Sequence, residues 1–440
     1  MARKLATGRI AADGAPMKNT IIPAAGDPQR VTGPGLLAGL GRRVLLATLA
    51  KIQVGELTII DGDEVLRFGR RDAAFPLAVT LTVLHHRFYA LTAFSGTVGV
   101  GESYIQGDWQ CDDLTQLVRI VLRNRATLEG LDSGLARLAQ PLLRVVHWLQ
   151  SNTRRGSERN ISAHYDLGNE FYRLMLDETM AYSSGIFTRP DATLGDASRA
   201  KFDAVCRKLE LRPDDHLLEI GTGWGGLAIH AAEHYGCRVT TTTISREQHR
   251  YAVQRIAELG LTHRIEVLLE DYRDLKGQYD KLVSIEMIEA VGANFLDTYL
   301  QKCASLLKDQ GAMLLQAITL QDQMYERALR QVDFIQRFIF PGSFIPSINA
   351  IADSLRRVTD LKIFDLEDIG PHYARTLALW RKNFHAQLDE VRRLGFADDF
   401  IRLWEFYLSY CEAGFEERHL GDVQMLLTKP HHRGMAGAGR

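Results

Sequence analysis

From about Asn160 onward the sequence predicts an α/β domain with a doubly wound, mostly parallel sheet, preceded by a smaller α+β domain. Two observations carry that expectation. First, short β-rich runs alternate with helical segments, the order that builds parallel sheets. The runs are His216-Leu-Leu-Glu-Ile-Gly, Arg238-Val-Thr-Thr-Thr-Thr, Arg264-Ile-Glu-Val-Leu-Leu, Tyr279-Asp-Lys-Leu-Val-Ser-Ile and Gly311-Ala-Met-Leu-Leu-Gln-Ala-Ile. Second, the first run leads through Gly221-Thr-Gly223-Trp-Gly225-Gly226 into a helical segment, the punctuation of a ligand-binding strand, turn and helix.

In chain order, residues 1–34 are rich in Gly, Ala and Pro without sustained periodicity, which predicts a disordered or loosely packed tail. Residues 35–125 read as the small α+β domain. Gly55-Glu-Leu-Thr-Ile-Ile and Leu77-Ala-Val-Thr-Leu-Thr-Val are strand-like, Asp61-Gly62-Asp63 suits a hairpin, and Thr97 to Tyr104 reads as a turn into a helix. Residues 126–160 form a basic amphipathic connector. Between Val118 and Asn160, Arg119, Arg123, Arg125, Arg137, Arg144, Arg154, Arg155 and Arg159 face only Glu129, Asp132 and Glu158. Leucines and valines recur beside them at helical spacing, with Trp148 near the end, which suits either a membrane-interface helix or a linker packed on the next domain. Residues 161–430 are the main domain, with a helical insertion at about 320–345 and a last strand at Val423-Gln-Met-Leu-Leu-Thr-Lys. Residues 431–440 read as a tail.

Composition narrows the function classes. The chain has 440 residues, 53 Lys+Arg against 54 Asp+Glu and a net charge of -1, which excludes a strongly basic nucleic-acid binder. No stretch approaches the ~20 apolar residues of a membrane-spanning helix. Cys111, Cys206, Cys237, Cys303 and Cys411 are scattered and never form a CxxC pair, which fits a reducing cytoplasm. Neither His85-His86 nor His431-His432 has ligand spacing, so no metal site is expected.

The glycine turn formally satisfies GxGxxG, so a dinucleotide has to be weighed against other nucleosides. A dinucleotide site wants an acid at the end of the second strand, and here that strand ends Thr240-Thr-Thr-Thr-Ile-Ser245. The acids lie at Glu219, inside the first strand, and at Glu270-Asp271, directly after the third. An acid after strand three can accept from an adenine amino group, which suits S-adenosylmethionine better than NAD.

Further motifs fall in a fixed order. His164-Tyr-Asp-Leu-Gly-Asn-Glu-Phe-Tyr172 and Met180-Ala-Tyr182-Ser183-Ser184 precede the glycine turn. Thr243-Ile-Ser-Arg-Glu-Gln248, Asp271-Tyr272-Arg-Asp274, Glu286-Met-Ile-Glu289-Ala-Val-Gly292 and Phe338-Ile-Phe-Pro-Gly342 follow it. Together they resemble the cyclopropane-fatty-acyl-phospholipid synthase family from about Asn160 to Lys429, and more weakly through Gly101-Glu-Ser-Tyr104 and Gly107-Asp-Trp109. The resemblance implies a class I methyltransferase fold, an N-terminal lipid-binding domain, S-adenosylmethionine as donor and bicarbonate as base. It also implies a phospholipid substrate at the inner face of the membrane, with the protein cytoplasmic and peripherally attached, and a homodimer. By motif position the donor site would comprise Tyr182, Ser183, Glu219, Gly221, Gly223, Thr243, Gln248, Asp271 and Tyr272. The catalytic positions would be Glu289, Tyr373, Ser184, Gln316 and Ile318.

The implied chemistry explains these residue types. An alkene is a weak nucleophile, so the methyl donor must be held in line with it. Methylation leaves a carbocation, which needs aromatic faces and a dry pocket; Tyr182, Phe187, Phe334, Phe338, Tyr373 and Trp380 are candidates. A base must then take a proton, and Glu289 could orient bicarbonate for that step. Two positions depart from the family: Ser184 stands for a common cysteine and Gln316 for a histidine. Both can donate hydrogen bonds, but neither supplies a thiolate or an imidazolium. The expected product is a cyclopropane ring, with a methylene- or methyl-branched chain as the variant outcome. A small-molecule N- or O-methyltransferase and a non-catalytic lipid-binding subunit are the competing functions.

Overall fold

The computed structural model describes residues 35–128 and 167–434. The tails, the connector from Glu129 onward and His164-Tyr165-Asp166 lie outside the described residues. Among the described residues no helix is long and apolar enough to cross a membrane.

The N-terminal part is a four-stranded sheet in the order β2-β1-β3-β4, made of β1 (Gly55–Asp61), β2 (Glu64–Arg70), β3 (Ala78–Val83) and β4 (Trp109–Cys111). Strands β1 and β2 form the expected hairpin, while β1 and β3 run parallel. Alternation sends Leu57, Ile59, Val79 and Leu81 to one covered face, as a half-buried sheet requires. The segment Thr97 to Tyr104 corrects one expectation. It is the second half of a helix, Arg87–Ile105, that breaks at Gly96 (φ 57°, ψ −136°) rather than a turn leading into one. The glycines that looked like a turn lie within helix.

The second sheet has seven strands in the order β10-β11-β9-β8-β5-β6-β7. They are β5 (His216–Ile220), β6 (Arg238–Thr243), β7 (Ile265–Leu269), β8 (Tyr279–Ile285), β9 (Leu307–Leu320), β10 (Lys362–Asp368) and β11 (Leu420–Thr428). From β7 to β9 neighbouring strands are parallel, and β11 then inserts antiparallel to both β9 and β10. The parallel strands are covered on both faces, so Leu217, Leu218, Val239, Leu282, Val283, Leu314 and Leu315 are almost fully buried, as continuous apolar runs predict. Edge strand β10 carries Ile363 and Phe364 exposed, and weak alternation had hidden it in the sequence.

The two sheets are joined by one long helix. Asp398–Glu416 packs on helix Gly370–Ala386 of the larger domain and on Arg87–Ile105 and Leu114–Arg123 of the smaller one. Phe406 packs its ring 4.6 Å from Phe334 and 5.7 Å from Tyr104, tilted against both. Tyr104 Oη donates to Glu405 (2.7 Å), and Arg402 donates to the Trp109 carbonyl (2.6 Å). Arg119 donates to Glu417 (2.7 Å), Arg123 pairs with the same carboxylate, and Arg125 meets the ring of His419. Three of the eight arginines counted between Val118 and Asn160 are therefore committed to the larger domain, which leaves five against the same three acids.

Phe334 and Phe338 belong to this junction, and Phe187 and Trp380 to the packing around helix Gly370–Ala386; none of the four lines the central cavity. These positions were candidates for a cation-facing role and are packing residues instead. Phe334→Ala should therefore cost about 3–5 kcal/mol by leaving a cavity in the junction. Thermal unfolding would show a lower midpoint with donor affinity retained; an unchanged midpoint would contradict this packing.

Candidate active site

The carboxyl ends of β5, β6, β8 and β9 open on one cavity of about 580 Å³. This is where ligands bind in open α/β sheets, because loops diverge there on either side of the sheet. At its floor, Gly221 (φ 108°) and Gly223 (φ 52°) hold backbone conformations that side chains disfavour. The Gly221 and Thr222 amides both donate to the Thr242 carbonyl at 3.0 Å, which fixes the turn against β6.

Around this turn the expected donor-site residues come together. Tyr182, Ser183, Glu219, Gly221, Gly223, Thr243, Gln248, Asp271 and Tyr272 all line the cavity. Thr243 Oγ1 donates to Gln248 Oε1 (2.9 Å), which turns the glutamine amide at the end of β6, where an acid would stand in a dinucleotide site. Asp271 caps the short turn Tyr272–Asp274 and is held by Arg273 (2.5 Å), while Tyr272 meets Tyr299 edge-on at 5.3 Å. Glu219 is sealed inside the sheet and accepts from Thr241 Oγ1 (2.6 Å); burial pushes its carboxyl up to about 8.

Above the turn lies a cluster of carboxylates. Glu286 directly follows β8 and Glu289 sits in the next turn, Ile288–Ala290. Glu286 Oε1 accepts from the Ser184 amide (2.9 Å) and from Gln316 Nε2 (2.8 Å), and Oε2 accepts from Tyr373 Oη (2.6 Å). Gln316 Nε2 also reaches Asp422 (3.0 Å), and its Oε1 accepts from Gln424 (3.0 Å), its cross-strand partner on β11. Glu289 Oε1 accepts from the Ile318 amide (2.6 Å), while its buried Oε2 has no partner among the described residues. The buried Lys201 lies in electrostatic reach and its Nζ donates to Ser183 Oγ at 2.7 Å; burial lowers the ammonium's pKa, while Glu286 and Asp422 act to raise it.

Three carboxyl groups near one buried lysine cannot all ionise cheaply. Burial raises the Glu286, Glu289 and Asp422 carboxyls, with Glu289 pushed up to about 8. Only Glu286 has three hydrogen-bond donors, which favour its charged form, and Lys201 also acts in that direction. Hydrogen bonding therefore favours the ionised form at Glu286 more than at Glu289 or Asp422.

Among the expected catalytic residues, Glu289, Ile318 and Tyr373 line the cavity, whereas Ser184 and Gln316 sit behind it. The Ser184 hydroxyl donates to the Gly185 carbonyl (3.0 Å), so its contribution is the backbone amide and not the side chain that sequence reasoning invoked. Sequence reasoning gave Glu286, Lys201, Asp422 and Tyr407 no role. Glu286 stood inside a quoted motif, and Lys201 interrupts the apolar positions Ala197, Phe202 and Val205 on the buried face of helix Leu194–Lys208, a signal that could have been read. Tyr407 donates or accepts at Tyr182 Oη (2.9 Å) and lines the same cavity.

This sheet order with a glycine turn after its first strand defines a class I S-adenosylmethionine-dependent methyltransferase, and the residues present fit that cofactor at the turn. The comparisons then give the family. Residues 152–425 match the family model for mycolic acid cyclopropane synthetase, and the chain belongs to that family. It is 39% identical over 367 residues to a tuberculostearic acid methyltransferase from Mycobacterium tuberculosis, covering 81% of this chain and 85% of that one. It is 34% identical over 355 residues to cyclopropane-fatty-acyl-phospholipid synthase from Escherichia coli strain K12, covering 79% and 87%. The crystal structure of a mycolic acid cyclopropane synthase complexed with SAH and CTAB superposes with a TM-score of 0.58 at 31% identity, over 62% of this chain and 98% of that one.

Two outcomes test the site. Gly221→Val should abolish calorimetric binding of S-adenosylmethionine while the protein stays folded, because a side chain at φ 108° would distort the turn and crowd Met287. Retained affinity would contradict the assignment. The second concerns pH. Glu219 binds its proton more tightly folded (about 8) than unfolded (4.5), so its contribution to stability falls as pH rises from about 4.5 to 8. Glu219→Gln removes the ionisable group, so its melting midpoint should gain on the wild type across that window; a constant difference would show that Glu219 ionises freely.

Proposed function

We propose that the chain transfers the methyl group of S-adenosylmethionine to the double bond of an unsaturated acyl chain in a membrane phospholipid and closes a cyclopropane ring. The observation that carries this reading is the reach of the cavity. From the glycine turn and the carboxylate cluster it extends between the domains to Leu45, Leu49, Leu57, Ile59, Leu81 and Phe88 of the smaller one. A long apolar substrate uses such a wall, and a small amine or hydroxyl acceptor has no need of it.

Bound at the glycine turn, S-adenosylmethionine supplies an electrophilic methyl group on a sulfonium. The protein's part is to hold the alkene against it, to exclude water and to take up a proton. Tyr182, Trp224, Tyr373 and Tyr407 line the cavity and offer aromatic faces to a developing carbocation. Tyr182 and Tyr407 hold each other through their hydroxyls, and Tyr373 stacks on Phe415 at 4.4 Å, so these faces are fixed before substrate arrives.

A second outcome of the same transfer, a methylene- or methyl-branched chain, draws support from the relative whose name is a methyltransferase rather than a cyclopropane synthase. The reading includes contact with the cytoplasmic membrane face, supported by the five arginines between Arg137 and Arg159. Incubation with unsaturated phospholipid vesicles and labelled S-adenosylmethionine, followed by mass spectrometry of the acyl chains, tests it. A gain of one CH2 that resists hydrogenation is the expected result; label that never reaches lipid would sink the reading. Leu81→Trp, which fills the far end of the cavity, should cut transfer to lipid by about 10-fold or more without changing donor affinity.

A further inference from the structure

The resemblance assigns bicarbonate to the positions Ser184, Gln316, Ile318, Tyr373 and Glu289, and the residues present do not fit it. The Ser184 amide, Gln316 Nε2 and Tyr373 Oη already donate to the Glu286 carboxylate, at 2.9, 2.8 and 2.6 Å. The Ile318 amide is taken by Glu289. Ser184 and Gln316 stand behind the cavity wall, and Glu286 occupies the wall in front of them. A bicarbonate ion would have to displace a carboxylate from three hydrogen bonds and then sit beside it, where like charges repel in a poorly solvated site.

We propose that Glu286 is the general base of this chain, a built-in carboxylate standing where bicarbonate would otherwise be held. The inference rests on the acyl-methylation reading above. The alkene π pair forms the bond to the methyl carbon while the C–S bond breaks and its pair stays on sulfur, leaving a carbocation on the acyl chain. Glu286 then accepts a proton from the new methyl group, and the C–H pair forms the third ring bond. A methylene product needs the same proton from the same methyl, after a hydride shift along the chain, so the role does not depend on the product. The neutral acid on Glu286 returns its proton to solvent as product leaves.

A backbone observation points the same way. Glu286 sits at φ 46°, in the left-handed region that glycine favours, and is one of four non-glycine residues with positive φ among the described residues. A strained conformation at a cavity wall persists only when surrounding contacts hold it, as the three donors do here.

The test uses the full chain in buffer stripped of carbon dioxide, with labelled S-adenosylmethionine and unsaturated phospholipid vesicles. Wild-type turnover should not change when bicarbonate is restored. Glu286→Gln keeps the shape without the basicity and should lose at least about 100-fold in turnover with donor affinity unchanged. Glu286→Gly suits the backbone and empties the cradle; it should be inactive alone and recover with added bicarbonate. Binding is read independently of turnover by the NMR linewidth of isotope-labelled bicarbonate, which should broaden with Glu286→Gly and not with wild type. Wild-type turnover that climbs with bicarbonate, wild-type broadening of that line, or full turnover by Glu286→Gln would each overturn the proposal. If no label reaches lipid at all, the acyl reading fails, and the linewidth comparison still decides who fills the cradle.

Discussion

Burying a carboxylate without partners costs several kcal/mol, and the larger domain buries three beside one another. Much of its architecture is the answer to that cost. The antiparallel insertion of β11 brings Asp422 and Gln424 next to Gln316, helix Gly370–Ala386 brings Tyr373, and the segment after Tyr182 turns the Ser184 amide inward. Lys201 adds the neighbouring positive charge from a different helix. Each donor comes from a distant stretch of chain, so the charge on Glu286 is stable only when the fold is complete.

The same arrangement couples the two domains. Helix Asp398–Glu416 presents Phe406 to the smaller domain and Tyr407 to the cavity, so the packing that fixes the domains also fixes an aromatic wall of the site. Glu417 and His419 then hold Arg119, Arg123 and Arg125, at the end of the smaller domain just before the connector.

Much of this was legible in the sequence because it is local. The strand runs, the glycine turn and the nine donor-site positions are contiguous motifs, and all nine line one cavity. The kink at Gly96 and edge strand β10 were missed because glycine spacing and weak alternation do not distinguish a broken helix from a turn, or an exposed edge from a loop. Phe334 and Phe338 were candidates for either a cation-facing wall or core packing, and they pack, since aromatic identity alone does not say which wall a ring faces. Glu286 was hidden for a deeper reason. Its meaning depends on three donors separated from it by 102, 30 and 87 residues, and no pattern within one sequence displays that convergence.

The site rests on a division of labour among carboxyl groups: three hydrogen-bond donors favour the ionised form of Glu286, while burial and the neighbouring carboxylate favour the protonated form of Glu289. An infrared difference spectrum between wild type and Glu289→Gln, taken in mildly acidic buffer, reads this division directly. The expected result is loss of a protonated carboxyl C=O band with the ionised carboxylate bands unchanged. Loss of ionised carboxylate absorption in its place would contradict it, and would move the charge from Glu286 to Glu289.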